Sequence, residues 1–234
     1  MASTPGATAP ATSRYATAVL ADKPLLYYRF GETGGAPARD EVTGATTAYP
    51  VSGGKFGVTG ALAGDPDTAM TLDGSFKLQL AQLVDFKDFT PFSVEAWLSP
   101  NTATTGSGFI VDHEAWDGRR GWLLTADSDS IGFERWLDGG SASIGVGQAA
   151  VEGQWHHVVM SYDGSVQRLY IDSVRRTTGM PGVPLVVIGV PWTVGGQNCA
   201  PCSGNGFRGS VDELAIYGQA LTEERIQAHF SAGR

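Results

Sequence analysis

Any chemistry this chain performs has to come from a few acids, four histidines, two cysteines and a set of tryptophans. Hydrolysis of a glycosidic bond needs two carboxyl groups flanking the scissile bond. The densest acidic cluster is Asp112-His113-Glu114 with Asp117, and its spacing does not align three acids on one strand face. Asp212 and Glu213 are adjacent, so on a regular strand they point to opposite faces. No Gly-x-Ser-x-Gly elbow accompanies His113, His156, His157 and His229, so a serine nucleophile has no exposed turn to sit on. His156 and His157 are expected to satisfy hydrogen bonds in the core. His229, near the C-terminus, is expected at the surface. These patterns point away from an enzyme.

With only two cysteines, Cys199-Ala-Pro-Cys202 cannot close a four-ligand zinc site. The pair lies in the glycine-rich stretch 195–206, not at the head of a helix as a thioredoxin-like motif would. A local disulfide between Cys199 and Cys202 is expected instead, and it implies an oxidising compartment. Sugars are recognised by aromatic faces with polar neighbours. Trp116 lies in the loop 113–120, Trp136 closes a strand before Asp138-Gly139-Gly140, and Trp192 sits between Pro191 and Thr193. With Asp117 and Arg119 they form the expected binding rim. Trp97, Trp122 and Trp155 fall inside strands and are expected in the core.

The elements that must position these residues read as strands. The 234 residues include 32 glycines, and charged residues are 17% of the chain against a typical value of about 25%. Short apolar runs recur with turn signals between them: 25–30, 69–73, 76–80, 92–99, 108–112, 121–126, 130–137, 143–148, 154–162, 167–171, 174–178, 184–190, 193–195 and 207–217. Asp73-Gly74 reads as a hairpin turn, and so does Asp163-Gly164. Residues 31–60 read as a long, loop-rich excursion. Short helices are expected at 15–22 and 221–233. In the second, Thr222 is the N-cap, Leu221 and Ile226 form a hydrophobic staple, and Gly233 is the stop. The fold class is all-β, a two-sheet antiparallel sandwich with a short helix at each end.

A net charge of −8 excludes a nucleic-acid surface and a polybasic membrane surface. No apolar run is long enough to span a bilayer. No charged n-region with an apolar h-region is present, so an export signal would have to lie outside these residues. Residues 1–14 read as a flexible linker ahead of one domain at 15–234, which suggests a module cut from a longer chain.

The order of several motifs resembles the laminin-G-like, concanavalin A-like jelly-roll domains. They are Tyr28-Arg29-Phe30-Gly31-Glu32, Met70-Thr71-Leu72-Asp73-Gly74, Phe92-Ser93-Val94-Glu95-Ala96-Trp97, Trp155-His156-His157-Val158 with Tyr162-Asp163-Gly164, Leu169-Tyr170-Ile171-Asp172-Ser173, and Gly209 to Tyr217. Ser173 departs from the family's usual glycine, which puts the turn type after Asp172 in doubt. The Glu-x-Asp-x-Glu strand of the family's glucanases is missing. The resemblance implies a structural Ca²⁺ held by Asp40, in an early loop, and Asp212, in the closing strand, with Asp73 as a third candidate. It implies a non-catalytic carbohydrate-binding module of a larger, exported, bacterial protein, recognising a polysaccharide or glycan. The alternatives are an adhesive domain that binds protein and, behind that, a glycan-cleaving enzyme.

Overall fold

Alternating side chains build two sheets. The computed structural model describes residues 13–33, 35–47, 54–75, 77–81, 83–101, 108–115, 118, 120–126, 130–138, 140–147, 152–179, 184–197 and 206–234. The first sheet runs in the order β12 (Val174–Gly179), β11 (Gln167–Ile171), β10 (His156–Tyr162), β5 (Phe92–Pro100), β14 (Arg208–Tyr217), β3 (Thr68–Asp73) and β2 (Gly54–Thr59). The short β1 (Leu26–Tyr28) also pairs with β14. The second runs β4 (Leu78–Gln79), β13 (Thr193–Val194), β6 (Gly108–Ala115), β7 (Arg120–Ala126), β8 (Ser130–Leu137) and β9 (Gly140–Gly147). All ladders between strands are antiparallel.

The inner faces meet in one core. Val94, Ala96 and Leu98 of β5 and Val158 and Met160 of β10 pack with Trp122, Leu124, Phe133 and Trp192 of the facing side. The alternate residues of the first sheet point outward, yet they are buried as well. Trp97, Val159, Tyr170, Ala215 and Tyr217 form a second cluster beneath α1 (Arg14–Ala21) and α2 (Glu223–Ala232). The molecule is therefore layered as helices, sheet, sheet. This explains why β5 and β10 are buried on both faces. No helix among the described residues is long and apolar enough to cross a membrane.

Several local expectations change in detail. Asp73-Gly74 does not close a hairpin: β3 pairs within the first sheet, and β4 pairs with β13 in the second. Asp73 instead caps the crossing, accepting from the Ser75 N–H at 2.9 Å and its hydroxyl at 2.7 Å. The turn between β10 and β11 is centred one residue later than expected, on Gly164-Ser165. Asp163 N–H still donates to the Val166 carbonyl across it (3.2 Å), and Asp163 Oδ1 accepts from the Ser165 and Val166 N–H groups. Residues 184–190 form no strand beyond the Leu185–Asp88 bridge. There the Asp85 carboxylate binds the N–H groups of Ile188 and Gly189, each at 3.1 Å, in place of a ladder partner. Gly233 stops α2 with φ −91°, not a left-handed residue. It must be glycine because a Cβ would come within 2.7 Å of Trp97.

Beneath the helices lies a buried carboxylate. Glu95 of β5 has no solvent exposure. Its Oε1 accepts from the Tyr15 hydroxyl (2.8 Å) and meets His157 Nε2 (2.6 Å), while its Oε2 accepts from the Tyr217 hydroxyl (2.6 Å). His229, expected at the surface, is fully buried, because α2 turns that face onto the sheet. Its Nδ1 lies 3.0 Å from both Glu95 oxygens. Its Nε2 faces the Ala18 carbonyl (3.1 Å) and Asp22 Oδ2 (3.0 Å). Both ring nitrogens face acceptors, so both must donate, and His229 is an imidazolium. Burial opposes that charge, but the Glu95 hydrogen bond and charge outweigh it and raise the pKa above the ordinary 6.5. For Glu95, burial opposes ionisation, and the hydrogen bonds from His157 and His229 overcome it and drive the pKa well down.

Two outcomes follow from these contacts. The Glu95–His229 contribution is complete only between the ordinary pKa values of 4.5 and 6.5. It is lost on acidification as Glu95 takes up its proton, and lost as pH rises through the elevated His229 pKa. In urea unfolding against pH, His229→Gln therefore removes the loss on the alkaline side. Asp172 and Ser173 both have positive φ, 52° and 63°, so the turn is type I′. Ser173→Gly should raise unfolding stability by about 1 kcal/mol in the same assay.

Candidate functional site

The outer face of the second sheet carries no helix among the described residues. The registers of β6 to β9 align Asp112, Leu123, Glu134 and Ser143 in one row, and Glu114, Gly121, Trp136 and Ser141 in the next. All of these side chains point away from the core. Exposure rises across the rows. Asp112 and Glu114 are buried, Glu134 and Trp136 are half-buried, and Ser141, Ser143, Gly145 and Gly147 are exposed.

Trp136 is fixed on this face. Its Nε1–H donates to Glu134 Oε2 at 2.9 Å, two residues back on the same face. Gly121, beside it on β7, has φ +118°, and a Cβ there would lie 2.0 Å from the His113 carbonyl oxygen. Position 121, between Glu114 and Trp136, therefore admits no side chain of its own, and Ile188 Cδ1 lies 3.0 Å from that point. Gly132 and Gly145 also face outward and leave the floor low. An ion pair between Arg120 and Asp138 (2.7 Å) links the β6–β7 and β8–β9 hairpins at this end. The result is a polar surface with one half-buried indole tied to Glu134.

A second opening lies at the edge of the first sheet. It is a cleft of about 440 Å³ lined by Arg29, Glu32, Arg39, Glu41, Pro37 and Asp67, among others. That falls within the roughly 300–1,000 Å³ typical of ligand pockets. The Glu32 carboxylate accepts the Arg39 N–H at 2.8 Å, and burial raises its pKa. Among the described residues no aromatic ring lines the cleft.

The three metal candidates are not brought together. Asp40 uses both oxygens to cap its own loop, accepting from Tyr27 N–H (2.9 Å), Val42 N–H (3.1 Å) and the Thr43 hydroxyl (2.5 Å). Asp73 is exposed and bound to Ser75. It pairs with Arg208, four residues before Asp212, and so lies roughly 13 Å from Asp212 along the strand. Asp212 is buried, and its Oδ2 accepts the Ala61 N–H at 2.8 Å. Among the described residues no group of three or more acids, histidines or cysteines is spaced to hold a metal ion. Asp73 and Asp212 are too far apart to share one Ca²⁺, and Asp40 spends both carboxylate oxygens on its own loop and Tyr27.

Asp212 and Glu213 do not point to opposite faces, as a regular strand would have them. The β5–β14 ladder is irregular between Asp212 and Ala215, and Glu213 has φ +54°. This bulge turns both acids to the helix side of the sheet, where Asp212 meets Ala61 and Glu213 meets the Tyr27 hydroxyl. No glycine marks the spot, so the sequence carried no signal for it.

Of the expected binding rim, Trp136 stands on the exposed face. Trp192 does not belong there. It has no solvent exposure and packs inward at 4.6 Å from Trp122 and 4.9 Å from His113, with its Nε1–H on the Val84 carbonyl at 2.6 Å. Its neighbour Thr193 takes the outward position, in the row of Asp112. Trp116, Asp117, Arg119, Cys199 and Cys202 lie outside the described residues. Ala115 and Arg120, which flank the first three, face each other at the end of the sheet that carries Trp136. Sequence inspection missed Glu134, whose only signal is its i, i+2 spacing from Trp136. His113 is buried between Trp122 and Trp192, and burial pushes its pKa down to about 4, so it is a neutral core residue.

This two-sheet sandwich is the jelly roll of lectin-like binding domains. The chain belongs to the laminin-G-type family described as the concanavalin A-like lectin/glucanases superfamily, whose model matches residues 72–227. Solved structures share the fold at low identity. The binding domain of Paraclostridial Mosquitocidal Protein 1 has a TM-score of 0.65 and 14% identity, covering 90% of this chain and 52% of that one. The botulinum neurotoxin serotype G binding domain has a TM-score of 0.66 and 13% identity, covering 89% and 51%. The botulinum neurotoxin serotype D ligand binding domain in complex with N-acetylneuraminic acid has a TM-score of 0.63 and 14% identity, covering 94% and 52%. The chain thus spans about half the length of the structures it matches. No curated protein matches it.

The two tryptophans separate on stability. Trp192→Ala should cost about 3–5 kcal/mol in urea unfolding because it empties the core. Trp136→Ala, on a half-exposed face, should cost less than half of that.

Proposed function

We propose that this domain is a non-catalytic carbohydrate-binding module of a larger exported protein, and that it binds glycan on the outer face of β7–β9. The observation that supports this best is Trp136, an indole held by Glu134 on an otherwise low, polar surface of serines and glycines. Such a face offers a ring for stacking on a pyranose, and carboxylate and hydroxyl groups for its hydroxyls. Membership of a lectin/glucanase superfamily and the fold shared with toxin binding domains lend support. Secretion enters the proposal as the compartment where such glycans are met.

Among the described residues this face presents one half-buried indole as its aromatic anchor, which suits a sugar better than a protein ligand. Hydrolysis would need accessible acids. Asp112 and Glu114 do share the outer face, but both are buried.

The test is a glycan array with pull-down on insoluble polysaccharides, using the whole chain. Binding should fall at least tenfold in Trp136→Ala and less in Glu134→Gln, and should persist in Arg39→Ala. Loss in Arg39→Ala with Trp136→Ala unaffected would move the site to the cleft. Release of reducing sugar by the wild type would replace binding with hydrolysis.

A further inference from the structure

The acids next to Asp212 are held by a side chain. Arg29 extends from the end of β1, and its Nη2 lies 2.8 Å from Asp65 Oδ2, 2.9 Å from Glu213 Oε1 and 3.1 Å from Asp67 Oδ2. One terminal nitrogen of a guanidinium has two N–H groups, so three oxygens cannot each take a straight hydrogen bond from it. What they share is its positive charge. The grouping is closer to oxygens around a point cation than to the two-pronged pairing that arginine usually makes with one carboxylate. Nε–H adds a further bond to Glu213 Oε1 at 3.0 Å.

The acids come from separate elements: Asp65 and Asp67 from the link between β2 and β3, Glu213 from the bulge in β14. Asp67 lies so close over the backbone that a Cβ on Gly31 would sit 1.7 Å from its Oδ1. Glu213 also accepts from the Tyr27 hydroxyl. Asp212 borders the group, and its Oδ1 is buried with no hydrogen-bond partner. Acids outnumber the cation. Burial, followed by the Glu213 charge, holds the Asp212 pKa well above the ordinary value. Burial raises Glu213 to about 7 even beside Arg29.

We propose that Arg29 is the built-in cation of this carboxylate nest. It does by covalent attachment what a divalent metal would do as a bound ion. The domain's stability is then independent of Ca²⁺, and removing the guanidinium opens a latent divalent-cation site. The present spacing suits hydrogen bonds and not metal–oxygen bonds, consistent with a guanidinium keeping the acids apart. Arginine is the residue for this position because its charge is permanent and its hydration is weak, so burial does not neutralise it.

The test is thermal melting of the whole chain at neutral pH, in EDTA and in millimolar CaCl₂. Wild type should melt at the same temperature in both. Arg29→Gln should melt roughly 10 °C lower in EDTA and regain several degrees in CaCl₂, because the ion binds only the folded state. Arg29→Gln combined with Glu213→Gln should melt above Arg29→Gln in EDTA and lose the CaCl₂ response. If Arg29→Gln does not fold in EDTA, its refolding yield with and without CaCl₂ gives the same readout. A wild-type midpoint that moves with CaCl₂ overturns the proposal. So does an Arg29→Gln protein indifferent to the ion.

Discussion

One carboxylate, Glu95, joins the layers. It sits in the middle of the first sheet, on the face turned away from the main core, and takes hydrogen bonds from both helices and two strands. A buried carboxylate is tolerable only when its charge is matched and its lone pairs are filled. Here the match is the His229 imidazolium on α2, and the remaining partners are Tyr15 on α1, His157 on β10 and Tyr217 on β14. None of these donors can move away without leaving charge in an apolar layer. The two ends of the described chain are thereby locked to the centre of the sheet.

That lock divides the molecule's surfaces. Because α1 and α2 cover the middle of the first sheet, its outer face there is a second core. The second sheet has glycines and serines on its outer face, and the same period-two rule that buries Phe133 and Arg135 presents Glu134 and Trp136. The proposed recognition face and the helix-covered layer thus lie on opposite sides of the sandwich. The Arg29 nest serves the covered side: it ties β1, the β2–β3 link and the β14 bulge under the same cluster of rings.

Much of this was legible in the residues. The strand run, both helices, the Thr222 cap of the second, and the burial of His156 and His157 followed from periodicity and motif order. His156 does meet Asp172 at 2.8 Å, within the same motif that placed it. The errors share one cause. Asp73-Gly74, residues 184–190 and the Asp212–Glu213 pair were judged by local pattern, and in each a distant or side-chain partner took over the backbone or its direction. Trp192 reads as a loop tryptophan because prolines and glycines surround it. It is core because β13 pairs with β6 and turns it inward.

Sequence alone determined the fold class, the family and the residue types available for binding, because alternation, turn chemistry and motif order are local properties. Tertiary structure alone decided which of Trp136 and Trp192 reaches the surface, which acids share a face and which charge holds them. Those outcomes depend on register and on a bulge at a non-glycine residue. Register is set by packing between strands far apart in the chain, and no local pattern around Glu213 or Arg29 records it.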